Sequence, residues 1–390
     1  MSTKKEFDLV VYGASGFTGR LVAEYVNERY GKTLQWALAG RNENKTKAVR
    51  EELGIADTVP VIVADADAPE TLHALAARTR VVITTVGPFQ QYGEPLVVAC
   101  AETGTDYVDL CGEPAWMRRM IDSYAEAAAN SGARIVFSCG FDSIPFDLGV
   151  YFLQEKARQE LGACVPRVKG RVRRMKGTFS GGTAASLKAT LAAAKADPEV
   201  RALLLNPFAL TPGFTGPEQP PADTPLYDEA LASWQAPFVM ASINTRNVHR
   251  SNLLLGHRYG EDFRYDEMLL TGPGEQGRAA AEAVTKDRSL ASDKAPKPGE
   301  GPSREERENG FFDVLFIGEA PDGRMVKVSV TGDRDPGYGS TSRMITESAL
   351  CLLEDATGTP GGIWTTAPAL GDRLIQRLTR HAGLTFQAES

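Results

Sequence analysis

Cysteine, histidine and excess positive charge are all scarce in this chain of 390 residues. Its five cysteines, Cys100, Cys111, Cys139, Cys164 and Cys351, include no Cys-x-x-Cys pair. That excludes a disulfide framework and a zinc knuckle, and points to a reducing, cytoplasmic setting. The four histidines, His73, His249, His257 and His381, show no metal-ligand spacing, so no metal is expected. Lysine and arginine total 43 against 50 acidic residues, a net charge of −7. Such a chain has no global field for nucleic acid, and no nucleic-acid partner is expected. No apolar run reaches the length of a membrane span, which leaves peripheral membrane contact open. Lys4 and Lys5 precede Glu6 and Asp8, and the apolar stretch after them stops at glycine, so no signal peptide is expected. Internal repeats are absent as well.

What is present is an ordinary globular composition, 42% hydrophobic and 24% charged, over a length that suits two domains or three. Its most informative segment is Gly13-Ala14-Ser15-Gly16-Phe17-Thr18-Gly19. It follows a short apolar run, Phe7–Tyr12, and opens a helical pattern reaching Tyr30. Strand, glycine turn and helix start together make the phosphate-binding corner of a dinucleotide fold. Gly13 permits the tight turn, Gly16 clears the approach of a pyrophosphate, and Gly19 lets the helix lie close to the strand. First-turn N–H groups and the helix dipole then face the anion.

Strand and helix patterns alternate from Phe7 to Phe137, with Val81–Val86 as a continuous apolar run fit for a strand buried on both faces. This predicts an α/β fold: a Rossmann-type, doubly wound parallel sheet with helices on both faces. After Asp142 the rhythm changes. Phe146–Leu161 reads as helix and Val165–Met175 as a half-exposed strand. Ala184–Ala196 reads as an alanine-rich helix. Asn206–Pro237 carries seven prolines and reads as irregular. Phe238–Leu255 reads as helix and Lys286–Asn309 as a polar loop. Asp322-Gly323 between Phe311–Ile317 and Arg324–Thr331 is a hairpin signal. Helices over Ser340–Leu353 and Leu370–His381 close the chain. The expected division is a dinucleotide-binding Rossmann domain at 1–142, an α+β substrate and dimerisation domain with a mostly antiparallel sheet at 143–338, and C-terminal helices at 339–390 returning to the first domain. Exposed strands of the second sheet could pair two copies into a homodimer.

The cofactor choice turns on Ala39-Gly40-Arg41, at the end of the second strand. NAD-binding folds place an acidic residue here for the ribose hydroxyls, whereas the Arg41 guanidinium suits a 2′-phosphate, with Lys45 as a second cation. NADP is therefore expected, the alternative being that Glu43 meets the ribose. Asp65, past the third strand, is placed to reach the adenine or to serve as an ordinary turn residue. Val86-Gly87-Pro88-Phe89 ends the fourth strand, where ligands lie in open parallel sheets.

The strings GASGFTGRL at 13–21, AGR at 39–41, VGPF at 86–89, YGEPLVVAC at 92–100 and YVDLCGE at 107–113 resemble those of a known family. CGFDSIPFDLG at 139–149, SGGT at 180–183 and DPGYGST at 335–341 extend the match over most of the chain. They are similar to the saccharopine-dehydrogenase-like NADP oxidoreductases, a group that includes actinobacterial trans-acting enoyl reductases. The resemblance implies an NADP domain and a substrate domain with hydride transfer at their junction. It also makes an acyl or lipid-like, thioester-borne small molecule the leading substrate. Two other readings stand beside it: saccharopine-type imine reduction, and a non-catalytic NADP-binding scaffold. True saccharopine reductases carry a glycine loop one residue shorter, so the family name does not itself supply an activity.

Hydride transfer asks the protein to orient the cofactor, exclude water and handle one proton. For an enoyl thioester, a donor must meet charge on the thioester oxygen and an acid must protonate the α-carbon. Tyr92, Asp109 and Asp142 are the candidates at strand ends and at the domain crossover, the alternatives being a stacked aromatic for Tyr92 and helix capping for Asp109 and Asp142. Glu113 brackets the fifth strand with Asp109 and, before Pro114, also suits a helix cap. Ser180–Thr183 heads a helix and offers a second anion nest. Arg246 and Arg250 share a helix face, most simply a solvated one. Cys111 or Cys139 as the nucleophile of an aldehyde dehydrogenase is a further alternative. None of the eleven tyrosines has lysine four residues on, so the tyrosine–lysine relay of short-chain dehydrogenases is missing.

Overall fold

The computed structural model describes residues 5–297 and 299–389. The basic start at Lys4, and Pro298 within the expected polar loop, lie outside the described residues. The chain opens with β1 (Phe7–Tyr12), α1 (Phe17–Tyr30), β2 (Trp36–Gly40), α2 (Glu43–Glu52), β3 (Val61–Val63), α3 (Pro69–Ala77) and β4 (Thr79–Thr84). Next come α4 (Phe89–Tyr92), α5 (Glu94–Thr103), β5 (Asp106–Val108), α6 (Pro114–Ser131) and β6 (Arg134–Val136). The middle holds α7 (Ile144–Leu161), β7 (Arg167–Lys176), α8 (Gly181–Ala196), α9 (Pro198–Leu205), β8 (Leu226–Asp228), β9 (Ser233–Pro237) and α10 (Ala241–Leu254). After these run β10 (Arg264–Gly272), α11 (Gly274–Lys286), α12 (Arg304–Glu308), β11 (Phe311–Glu319) and β12 (Met325–Gly332). The chain ends with α13 (Thr341–Leu350), β13 (Gly362–Trp364), α14 (Thr366–Arg377) and β14 (Leu384–Glu389). Among the described residues no helix is long and apolar enough to cross a membrane.

The first sheet has the order β13-β6-β5-β4-β1-β2-β3, and all its pairings are parallel. Its central strands are buried on both faces, Leu9, Val10, Val11, Val81, Val82 and Ile83 having no exposed surface. This is why they read as unbroken apolar runs rather than alternating ones. Strand order reverses between β1 and β4, and the carboxyl ends of strands at such a switch point form the ligand crevice of open parallel sheets.

The second sheet has the order β14-β12-β11-β7-β10-β9-β8. It is mixed: β7 and β10 run parallel and the other neighbours antiparallel. The Asp322-Gly323 hairpin is present, Gly323 taking φ +85° between β11 and β12. Two elements between Leu255 and Lys286, β10 and α11, had no clear pattern in the sequence. β10 reads RYDEMLLTG, and its Asp266 is buried against Arg167 and Arg171; paired charges inside a sheet erase the alternation that marks a strand. The proline-rich stretch is not wholly irregular, since it contains β8 and β9. Within the polar loop, Ser303 and Glu306 form a capping box that starts α12.

Helix α7 lies hard against β11, where a Cβ on Gly149 would sit 2.4 Å from the Phe316 ring. The C-terminal residues serve both sheets. β13 extends the first beside β6, and β14 extends the second beside β12. Glu347 of α13 is fully buried and accepts hydrogen bonds from Tyr25 (2.8 Å) and Tyr30 (2.6 Å) of α1 and from Arg377 Nε of α14 (2.9 Å).

Candidate active site

The dinucleotide corner is shaped by missing side chains. Gly13 sits at φ +89°, and a Cβ there would lie 2.7 Å from Val86 Cγ2 and 2.8 Å from Thr85 Oγ1. At Gly19 a Cβ would lie 2.1 Å from the Gly13 carbonyl oxygen, so α1 and the β1 turn approach as closely as backbone allows. Gly16 is the N-cap of α1, exposed and without a side-chain cap. The first N–H groups of such a helix have no partner within it. Ala14 is buried, Ser15 and Phe17 are half-buried, and Thr18 faces the adjoining cavity. A helix start with free N–H groups, on a turn where Gly13 and Gly19 have no room for a Cβ, fits a dinucleotide pyrophosphate.

At the end of β2, Arg41 and Lys45 are both exposed and have no ion-pair partner among the described residues. Glu43, the alternative ribose ligand, pairs instead with Lys47 at 2.7 Å. Asn42 caps α2 by accepting the Lys45 N–H, which holds both cations at the head of that helix. Asp65 serves a turn, accepting the Asp67 N–H at 3.2 Å. Gly87 and Phe89 border the adjoining cavity, whereas Val86 packs beneath Gly13; Gly87–Pro88 is a cis peptide, and Phe89 is buried against Trp116 with ring centroids 5.6 Å apart. The Phe89 and Gln90 N–H groups are held by the Glu113 carboxylate at 2.9 and 2.8 Å. Glu113 therefore caps α4, across space, while making no side-chain cap on α6, which it directly precedes.

A cavity of about 400 Å³ opens beside this corner. Thr18, Thr85 and Gly87 form its Rossmann-side wall, and Leu187, Leu191, Leu204, Phe238, Val239 and Met240 an apolar one. Asp142 and Tyr338, nearly 200 residues apart in sequence, border the same cavity. Asp142 has no hydrogen-bond partner among the described residues, and burial pushes its carboxyl up to about 7. Tyr338 Oη accepts the Ser180 N–H and lies 3.0 Å from Thr183 Oγ1. Its ring meets Phe17 edge-on at 5.2 Å. Ser180–Thr183 thus heads α8 as expected, with the Tyr338 phenol occupying part of that nest.

Of the three sequence candidates for proton handling, the structure brings only Asp142 to the cavity. Tyr92 is half-buried at the end of α4 and is not part of the cavity wall. Asp109 is fully buried outside it and accepts bonds from Tyr107 Oη (2.8 Å), Cys111 N (3.0 Å) and Ser138 N (2.8 Å). Burial raises its carboxyl to about 7 as well, yet its oxygens are committed to tying the β5–α6 and β6–α7 loops together. Cys111 and Cys139 are fully buried, and burial raises both thiols well above their ordinary range; neither borders the cavity, which removes the aldehyde-dehydrogenase alternative. Arg246 and Arg250 are not a solvated face: they are 6% and 4% exposed. His249 stacks on Phe208 at 4.6 Å and is pushed down to about 3 by burial. The residue missed by sequence reasoning is Tyr338, whose only signal was its place between glycines in DPGYGST.

Comparison with known proteins agrees with this geometry. Residues 9–136 match the family model described as the saccharopine dehydrogenase NADP-binding domain. Over 99% of this chain and 98% of the relative, the sequence is 43% identical to a Mycobacterium tuberculosis protein named as a candidate trans-acting enoyl reductase. It is 38% identical to the trans-acting enoyl reductase of Mycobacterium bovis, covering 96% of each chain. Among solved structures, the fold is similar to a saccharopine dehydrogenase from Saccharomyces cerevisiae, with a TM-score of 0.54 at 12% identity, covering 98% of this chain and 100% of that one. It also resembles the homospermidine synthase of Legionella pneumophila, at TM-score 0.56 and 10% identity, with 99% and 93% coverage. Glycine cradle, strand order and whole-chain identity lead to one assignment: the chain belongs to the saccharopine-dehydrogenase-like family of NADP-dependent oxidoreductases.

Proposed function

We propose that this protein reduces the carbon–carbon double bond of an α,β-unsaturated acyl thioester at the expense of NADPH. The observation that supports it most is Asp142: an unpartnered carboxyl, raised to about 7 by burial, on the wall of an otherwise largely apolar cavity that reaches Thr18 and Gly87. In this reading residues 1–142 bind the nucleotide, 143–338 hold the acyl group, and 339–390 tie the two together. Gly13–Gly19 would take the pyrophosphate, Arg41 and Lys45 the 2′-phosphate, Asp65 the adenine side and Val86–Phe89 the strand end. When bound, NADPH supplies the hydride. The chain's own residues do the rest. Leu187, Phe238 and Met240 embrace the acyl chain and exclude water. Asp142, raised by burial to about 7 and so partly protonated at neutral pH, delivers a proton to the α-carbon. Tyr338 Oη, its lone pair engaged by the Ser180 N–H, donates toward the thioester oxygen.

The test is NADPH oxidation against a panel of enoyl thioesters, imines and carbonyls. Turnover with the enoyl thioesters is expected, and turnover restricted to imines or carbonyls would overturn the reading. Tight NADPH binding with no turnover on any of them would point instead to a nucleotide-binding scaffold.

A further inference from the structure

The apolar wall of the cavity contains one residue that apolar packing does not explain. Arg246 belongs to the cavity lining and is 6% exposed. Its Nη1 donates to the Ser242 carbonyl oxygen and its Nη2 to that of Leu204 at the end of α9. Its Nε is buried with no partner among the described residues. No carboxylate among those residues lies within 4.0 Å of the guanidinium. Burial alone lowers its ionisation, to about 10, so it stays a cation at neutral pH. A guanidinium carries more N–H donors than two carbonyls occupy. A buried cation with no counter-charge is costly, and an apolar side chain of similar volume would pack the same space without that cost.

Arg250, one turn on, is the internal comparison. It too bonds two carbonyls, of Leu210 (2.8 Å) and Ile363 (2.7 Å), and it too leaves Nε without a partner. It is not part of the cavity wall and serves to join α10 to β13. The neighbouring titratable group, His249, is neutral at physiological pH and brings no negative charge. Asp142 is the acid on the cavity wall among the described residues; burial raises it to about 7, and it makes no ion pair with Arg246.

We propose that Arg246 is the receptor for an oxyanion carried by the substrate, so that the ligand of this cavity joins an apolar chain to a carboxylate or a phosphate. Nε is shut off from the cavity, but each terminal nitrogen carries a second N–H beyond the one given to a carbonyl, and such donors are of the kind that grips a carboxylate or phosphate oxygen. This names the substrate class more narrowly than the acyl-thioester reading and rests on that reading only for the reaction, not for the binding. The oxyanion has two sources: the free carboxylate of an acyl chain, or the phosphate of a phosphopantetheine arm.

The experiment is calorimetric titration of the protein without nucleotide, using octanoate, octanol and phosphopantetheine as probes, on wild type, Arg246→Met and Arg246→Lys. Wild type is expected to bind octanoate or phosphopantetheine at least ~10-fold more tightly than octanol, the scale of one charge-assisted contact. Whichever anion shows the preference identifies the source. Arg246→Met should lose the preference while keeping its octanol affinity, and Arg246→Lys should keep part of it. Equal binding of anions and octanol by wild type would overturn the proposal, whatever the variants do. A preference that survives in Arg246→Met would overturn it too. Because no turnover is measured, failure of enoyl-thioester reduction leaves this result standing, and the two readings fail separately.

Discussion

At the dinucleotide corner, seven consecutive residues supply the geometry; in the cavity beside it, Thr18, Asp142, Ser180, Arg246 and Tyr338 come from five separate stretches of chain. The corner is built by subtraction. Its backbone passes so close to itself that no Cβ fits at Gly19, and its cations at Arg41 and Lys45 stay in water. The cavity is built by burial. Its polar groups are taken out of water one at a time, and their chemistry changes with that: Asp142 rises to about 7 and Arg246 falls to about 10. Damage to the corner should therefore act on cofactor affinity, and damage to the cavity on turnover and substrate choice.

The largest expected effect separates the two regions outright. Gly19→Val places a branched side chain where even a Cβ lies 2.1 Å from the Gly13 carbonyl oxygen. NADPH affinity should fall by about 100-fold or more, as the helix start is pushed off its strand. Calorimetry reads this directly, and retained affinity would mean the corner does not hold the coenzyme.

Asp142→Asn is expected to lower kcat by about 10²-fold or more, the usual scale for a lost proton donor, with the NADPH dissociation constant unchanged. Asp109→Asn is its control. Both carboxyls are raised to about 7, but Asp109 already accepts three hydrogen bonds. Its loss should cost about 1–3 kcal/mol of stability, seen as a lower melting temperature, and leave kcat nearly intact. Equal kcat losses in the two variants would erase the distinction between them.

Arg41→Ala should weaken NADPH by about 1–3 kcal/mol, a factor of about 5 to 150, and leave NADH almost unchanged, as one lost contact to a 2′-phosphate requires. Glu43→Gln should alter neither, because Glu43 is engaged with Lys47. A parallel loss of both coenzymes in Arg41→Ala would assign the arginine a structural role.

The smallest effect is on pH dependence of stability. Burial raises Asp142 and Asp109 to about 7 and Asp147 to about 6 from 3.8, and Glu267 to about 8 from 4.5. Each folded-state pKa lies above its unfolded value, so the proton is held more tightly in the folded chain. The stabilisation is complete at low pH, below the unfolded values, and is lost as pH climbs through the folded ones. The melting temperature should therefore decline between about pH 5 and 8, and decline less in Asp109→Asn. A flat profile would show that these carboxyls ionise freely in the folded protein. Activity should fall across the same upper limb, as Asp142 loses the proton it is proposed to deliver.

Much of the first sheet was legible because strand segments covered on both faces must be apolar, as Leu9–Val11 of β1 and Val81–Ile83 of β4 are. The glycine corner was legible because a positive φ at Gly13 and a backbone collision at Gly19 leave few other residue choices. β10 was not legible, because Asp266 meets Arg167 and Arg171 from a neighbouring strand far away in sequence. The role of Glu113 was half legible. Its place before Pro114 marked a helix start, but its carboxylate caps α4, whose N–H groups arrive from residues 89 and 90. Arg246 and Arg250 show the same limit, since helical spacing places two side chains on one face and is silent on whether water or protein lies beyond it.

The sequence by itself determined the doubly wound sheet, the glycine turn at the head of α1 and membership of an NADP-dependent family, because each depends on residues close together in the chain and on backbone geometry that side-chain type dictates. Only the tertiary structure decided which acid faces the cavity, that Tyr338 joins it from the far end of the chain, and that Arg246 has no ion-pair partner among the described residues. Those outcomes depend on desolvation and on partners contributed by distant segments, and neither is a property of any local stretch of residues.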